Sequence, residues 1–149
     1  MKPWHFWLIG LLIFVVLFLY DQNNRIVISK HRVKDKKVPS AFNGFKILHL
    51  SDLHNKSFGM NQVLLLNKIR KLNPDIILIT GDLIDRRRTD FKPVLDLLKG
   101  LHSIPVYYVP GNHEAWSDCY AQLKDILINH KLEVLENEER CIVRDHQRL

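Results

Sequence analysis

Three apolar runs, each closing in a short polar string, constrain the topology of this chain more than any other feature. Residues 45–50 run into Ser51-Asp52-Leu53-His54, residues 75–80 into Gly81-Asp82, and residues 104–109 into Pro110-Gly111-Asn112-His113-Glu114. The runs are short and rich in β-branched and aromatic side chains, as strands are. Helical periodicity fills the gaps between them. Over residues 61–72, Val63, Leu66, Ile69 and Leu72 share a face, and Asn73-Pro74 stops the helix. Over residues 91–101, Asp90 stands as N-cap before a wide apolar face of Val94, Leu95, Leu97, Leu98 and Leu101. A third helix is expected over about 117–130, with Tyr120, Leu123, Ile126 and Leu127 inward.

Strands alternating with helices argue for an α/β fold with a largely parallel sheet and helices on its faces. The second run, Asp75-Ile76-Ile77-Leu78-Ile79-Thr80, reads as a strand covered on both faces. Shorter strands are expected at residues 25–33, 132–135 and 140–143, the last two around a turn at Asn137-Glu138-Glu139. In such sheets ligands gather beyond the carboxyl ends of the strands, where all three polar strings fall.

The amino-terminal stretch is a different kind of sequence. From Trp4 to Tyr20 there is no Asp, Glu, Lys or Arg, and Trp4, Trp7 and Tyr20 sit near the ends, where amphipathic rings prefer a membrane interface. A cleaved signal peptide is the rival, since Lys2 precedes the run, but Leu19-Tyr20-Asp21-Gln22 is a poor cleavage site. A buried core helix would be unusual with so complete an apolar belt. The expectation is an uncleaved single-pass anchor. Arg25, Lys30, Arg32, Lys34, Lys36 and Lys37 follow it. The positive-inside rule would put them in the cytoplasm, and such residues can also rest on anionic headgroups or form a solvated linker.

That basic segment and Arg86-Arg87-Arg88 supply much of the formal charge of +6. No basic patch interleaved with aromatics accompanies it, so no nucleic-acid partner is expected. Cys119 and Cys141 have neither metal nor redox spacing.

The polar strings carry the chemistry. Asp52 and His54 are two residues apart and in an extended segment face the same side, a carboxylate and an imidazole for one first-row divalent ion. Gly81 permits a tight exit for Asp82, whose two oxygens can bridge two ions, and Gly111 does the same before Asn112, a neutral amide ligand. Two ions roughly 3.5–4 Å apart can clamp a phosphoryl group and lower the pKa of a water. His113 has its own direction and could protonate a leaving oxygen. Asp85 is read as a helix cap or loop anchor, His49 as a satisfied core or interface histidine, and Glu114 as orienting His113 or starting the next segment.

Taken in order, Asp52-x-His54, Gly81-Asp82 and Gly111-Asn112-His113-Glu114 resemble the first three blocks of the calcineurin-like metallophosphoesterase superfamily. The flanking text, including Asn73-Pro74-Asp75 and Thr80-Gly81-Asp82-Leu83-Ile84-Asp85, is similar to its membrane-anchored bacterial YkuE/YaeI-type branch over about residues 25–143. The resemblance implies a site in which Asp52 and His54 bind one metal, Asp82 bridges, Asn112 binds the second and His113 acts on the substrate phosphate. It implies two divalent ions, with Mn, Fe and Zn the usual choices, and hydrolysis of a phosphomonoester, phosphodiester or pyrophosphate. The family fold is an αββα sandwich completed by Gly-His and Gly-His-x-His blocks, to which nothing after Glu114 corresponds. His130 and His146 are not expected to be ligands. The fold expected is therefore the N-terminal half of that sandwich behind one transmembrane helix. The domain reading is an anchor over 1–22, a juxtamembrane strand and connector over 23–44, and a truncated phosphoesterase domain over 45–149. Its partners would be the phosphate ester and, through the helix, membrane lipid. The alternatives are a non-catalytic membrane-anchored fragment, or an anchor module that binds lipid through the basic residues between Lys30 and Lys37.

Overall fold

Four short parallel strands form the sheet: β1, Ile47–Leu50; β2, Ile76–Thr80; β3, Val106–Val109; and β4, Glu133–Val134, side by side in that order. The computed structural model describes residues 4–88 and 90–149. Lys2, the charge that precedes the apolar run, lies outside the described residues.

The register is level, with Leu50 beside Ile79 and Thr80 beside Val109, so the carboxyl ends of β1, β2 and β3 open at one edge. Three helices make the crossovers: α2, Val63–Leu72; α3, Lys92–Leu101; and α5, Tyr120–Asn129. With strands in sequential order, crossovers of the usual right hand all fall on one side of the sheet. Burial agrees. Ile77, Ile79, Val106 and Tyr108 on one face are buried together with Leu65, Leu66, Ile69, Val94, Leu97, Leu98, Leu101, Leu123 and Leu127 of the helices. On the opposite face Ile47 is 50% exposed and Val109 42%. The expectation of a β2 covered on both faces is thus corrected. Ile76 is buried, but Leu78 is only partly covered and Thr80 is exposed. An apolar run gave no way to tell one layer of helices from two.

Local differences have local causes. Helix α2 turns inward Leu65, Leu66 and Ile69, while Val63 is exposed. A 3-10 turn, Met60–Gln62, precedes it, and the Gln62 amide fills the interior position by donating to the Lys56 and Pro93 carbonyls and accepting from the Phe58 N–H. Asp90 does accept the Lys92 N–H at 2.9 Å, next to Pro93 in the first turn of α3. The helix expected over about 117–130 forms as α5, and a short α4, Asn112–Ala115, which the sequence reading did not expect, precedes it within the third polar string. Residues 140–143 do not form the expected strand. A hairpin of β5, Val143–Arg144, and β6, Gln147–Arg148, takes its place because Asp145 and His146 both adopt positive φ and make a two-residue turn.

The chain divides into two units, residues 1–33 and 34–149. The first holds α1, Trp4–Asn24, with no buried residue. Its 21 residues give about 31 Å of helix at 1.5 Å per residue, close to the thickness of a bilayer core. By length and composition it can cross a membrane. The strand expected over residues 25–33 is absent: among the described residues it has no ladder partner, and a lone strand has nothing to satisfy its backbone.

Candidate metal centre

The loops leaving β1 and β2 are laced together by their backbones, and side chains tie the loop leaving β3 to the loop leaving β2. The N–H of Asp52 donates to Gly81 O at 3.3 Å, that of His54 to Asp82 O at 2.8 Å, and that of Asn55 to Leu83 O at 3.1 Å. Gly81 and Gly111 let the second and third loops touch. A Cβ at Gly81, where φ is +80°, would lie 2.6 Å from Gly111 Cα, and one at Gly111 would lie 2.3 Å from Asp82 Oδ1. Four non-glycine residues of these loops take left-handed backbone: Asp52 at φ 55°, His54 at 45°, Asn55 at 59° and Asp82 at 51°. Each such residue costs of order 1–3 kcal/mol, and such strain concentrates at functional sites.

Strain and lacing deliver side chains to one point. Donor atoms of His54, Asp82 and His113 all lie within 4.8 Å of one another. His54 Nε2 is 3.9 Å from Asp82 Oδ2 and 3.8 Å from Asp52 Oδ1. These separations are too long for hydrogen bonds. They are just under twice a metal–ligand bond of about 2.1 Å, so one ion fits between the imidazole and either carboxylate. The donor set, imidazole nitrogen with carboxylate oxygen, suits a first-row divalent ion. The rings of His54 and His113 meet edge to face with centroids 4.5 Å apart. Asp82 is only 8% exposed and its Oδ1 accepts the His113 N–H at 2.9 Å. Asp52 is more open, and Ser51 Oγ donates to its carboxylate. Asn112 begins α4 beside His113, but among the described residues no hydrogen bond ties its amide to the cluster.

His113 Nδ1 accepts the Arg86 N–H at 3.3 Å, so the neutral ring carries its proton on Nε2. Asp85 Oδ1 lies 3.7 Å from the same Nδ1. Asp85 accepts the Arg87 N–H at 3.0 Å, and this bond, aided by Arg87, His113 and Arg88, holds its carboxyl below the usual range. It is a loop anchor, as expected. His49 is satisfied through Thr80 Oγ1 but exposed on the open sheet face, not in the core. His130 Nδ1 faces the Ile126 carbonyl, and His146 sits in the hairpin turn; neither joins the cluster.

Glu114 is the residue whose role the sequence reading missed. It is fully buried, and its carboxylate accepts three backbone N–H groups: Asp82 and Gly111 on Oε2, each at 2.8 Å, and Ile84 on Oε1 at 3.0 Å. It therefore pins the second loop to the third. A signal was present: Glu three residues after the N-cap of a helix reaches back to the N-cap N–H, as Glu114 does to Gly111. Behind it lies Tyr108, whose phenol is pushed far above its usual range by burial first and by the Glu114 carboxylate second. Tyr120 is likewise raised, by burial and then by its bond to Glu136. A raised phenol favours the folded state below about pH 10 and loses that contribution as pH climbs from there toward the folded-state value. In an alkaline titration followed at 295 nm, the phenolate signals of Tyr108 and Tyr120 are therefore expected to appear only together with loss of far-ultraviolet circular dichroism.

Known proteins agree with this geometry. A family model described as calcineurin-like phosphoesterase matches residues 45–143. The metallophosphoesterase Cj0846 of Campylobacter jejuni is 29% identical over 87% of this chain and 36% of its own length. A transmembrane protein with metallophosphoesterase domain from Danio rerio is 28% identical over 73% of this chain and 26% of its own. The metallophosphoesterase YkuE of Bacillus subtilis is 31% identical over 64% of this chain and 35% of its own. The chain thus spans between about a quarter and a little over a third of the length of these relatives. Calcineurin-like phosphoesterases bind divalent metals, and here the family match and the His54, Asp82 and His113 cluster coincide. With the motif order, the parallel sheet and the match over residues 45–143 in agreement, this chain belongs to the calcineurin-like phosphoesterase family.

Proposed function

We propose that the chain is the metal-binding part of a hydrolase that cleaves a phosphomonoester, phosphodiester or pyrophosphate with two divalent ions, Mn, Fe or Zn. The observation that carries this is the convergence of His54, Asp82 and His113 from three separate loops. Asp52 and His54 would hold one ion, Asp82 would bridge, and Asn112 would hold the second. Bound there, the ions would offset phosphoryl charge and activate water. The chain's own residues do the rest. His113 would donate a proton to the leaving oxygen from its doubly protonated form and return to the neutral ring. Asp85, 3.7 Å from Nδ1, stabilises the ring when it is doubly protonated. Glu114 keeps the Asp82 and Gly111 loops in place.

In the domain reading, residues 1–22 form a membrane anchor, 23–44 a basic connector and 45–149 the phosphoesterase portion. Support comes from the exposed apolar helix α1 and from relatives named as transmembrane proteins. A second reading is metal binding without turnover; that the three donors grouped within 4.8 Å are His54, Asp82 and His113 is the observation compatible with it.

The test is hydrolysis of bis(p-nitrophenyl) phosphate by the purified chain in detergent with Mn²⁺ and again after chelation. Turnover that needs Mn²⁺ is expected. Saturable Mn²⁺ binding with no turnover selects the second reading, and absence of Mn²⁺ binding overturns both.

A further inference from the structure

We propose that Trp116 is a stacking platform for a planar leaving group on the phosphate ester, a specificity determinant that rests on the hydrolase reading above. Trp116 is the C-cap of α4, three residues after His113. It is 63% exposed, although the loops around it are tightly laced. Its position is nevertheless held. The Arg86 guanidinium lies over the indole with its carbon 5.1 Å from the ring centroid. The same arginine donates its backbone N–H to His113 Nδ1. One residue therefore touches both rings, which puts the indole about one arginine side chain away from the imidazole expected to meet the leaving oxygen.

Arg86 lies over one face of the indole, and the residue as a whole remains 63% exposed. Among the described residues Arg86 makes no ion pair, so its charge is spent on the ring and on the field around the cluster. A cation beneath an aromatic face draws electron density away from the opposite face, which then favours an electron-rich planar ring in offset stacking. An apolar group of the same size but puckered shape would gain the burial without the stacking. The ligand class is accordingly an aryl or heteroaryl phosphoester, in preference to an alkyl one.

The experiment uses the full chain in detergent with Trp4→Phe and Trp7→Phe, so that Trp116 alone among the tryptophans emits. The chain is loaded with Zn²⁺ and titrated with methylphosphonate, cyclohexylphosphonate and phenylphosphonate, none of which is hydrolysed. Fluorescence and calorimetry follow binding. Phenylphosphonate is expected to quench Trp116 and to bind about fivefold to tenfold tighter than cyclohexylphosphonate. Trp116→Leu, which keeps an apolar side chain at an exposed position, should bring that ratio to about one, while Trp116→Phe should retain most of it. Equal affinities for the phenyl and cyclohexyl compounds, or a preference that survives in Trp116→Leu, would overturn the platform and leave the hydrolase reading standing. Failure of all three phosphonates to bind would overturn both. Trp116 emission that responds to phosphatidylglycerol vesicles and not to phenylphosphonate would assign the indole to a membrane surface instead.

Discussion

Asp82→Asn should weaken Mn²⁺ binding by about a hundredfold or more and abolish any metal-dependent hydrolysis. The substitution keeps the shape of the side chain. Its amide oxygen can still accept the His113 N–H that Asp82 Oδ1 now accepts at 2.9 Å. It removes the negative charge, however, and sets an NH₂ group where Oδ2 stands 3.9 Å from His54 Nε2. An amide nitrogen has no lone pair to give an ion, so the carboxylate proposed to bridge would be lost as a bridge. A hundredfold change corresponds to about 2.7 kcal/mol, modest for a charged ligand that is itself only 8% exposed. The metal-free fold should melt within a few degrees of the parent, because the hydrogen bond persists. Calorimetric titration with Mn²⁺ and thermal unfolding of the metal-free variant check the two halves of the expectation. A fold that collapses while residual metal affinity is unchanged would mean that Asp82 is structural.

Glu114 should give the opposite pattern. Glu114→Ala strips the partner from the buried N–H groups of Asp82 and Ile84 and from the part-buried one of Gly111. Each buried donor left unpaired costs of order 1–3 kcal/mol, so a loss of about 3–5 kcal/mol is expected after some relaxation. That is a large share of the stability of an ordinary domain. Glu114→Gln keeps one acceptor oxygen but turns an NH₂ donor toward a backbone donor, for a smaller loss of about 1–3 kcal/mol. Because the carboxylate joins the loop that bears Asp82 to the loop that bears His113, Mn²⁺ affinity should fall in the Gln variant even where it remains folded. Urea unfolding followed by circular dichroism measures the first effect and Mn²⁺ titration the second.

Much of this was legible in the chain itself. Ile76 to Thr80 and Val106 to Val109 are runs that only strands accommodate at that length, and Gly81 and Gly111 mark where each must turn. The order of elements by itself puts Asp52, Asp82 and Asn112 at one sheet edge. What local pattern could not supply were facts about partners. Ile26-Val27-Ile28 has strand composition but no neighbouring strand, so it stays irregular. His49 alternates like an interior residue, yet among the described residues its face of the sheet carries no helix layer. Glu114 reads from sequence as orienting His113 or starting the next segment. Its importance depends on N–H groups some thirty positions earlier, which come to it only through the parallel pairing of β2 with β3. The stack of Arg86 on Trp116 arises in the same way, from two loops that the sequence separates and the sheet joins.

The central claim is that the three strand-exit loops make one divalent-ion centre. Paramagnetic broadening tests it most directly: the full chain in detergent micelles, labelled with nitrogen-15, titrated with substoichiometric Mn²⁺. The account predicts that the amides of residues 52–54, 81–83 and 111–114 and the ring signals of His54 and His113 broaden first and together, while His130 and His146 persist. Broadening centred on His130, His146 or the acidic turn at Asn137-Glu138-Glu139, with the three loops unaffected, would contradict it.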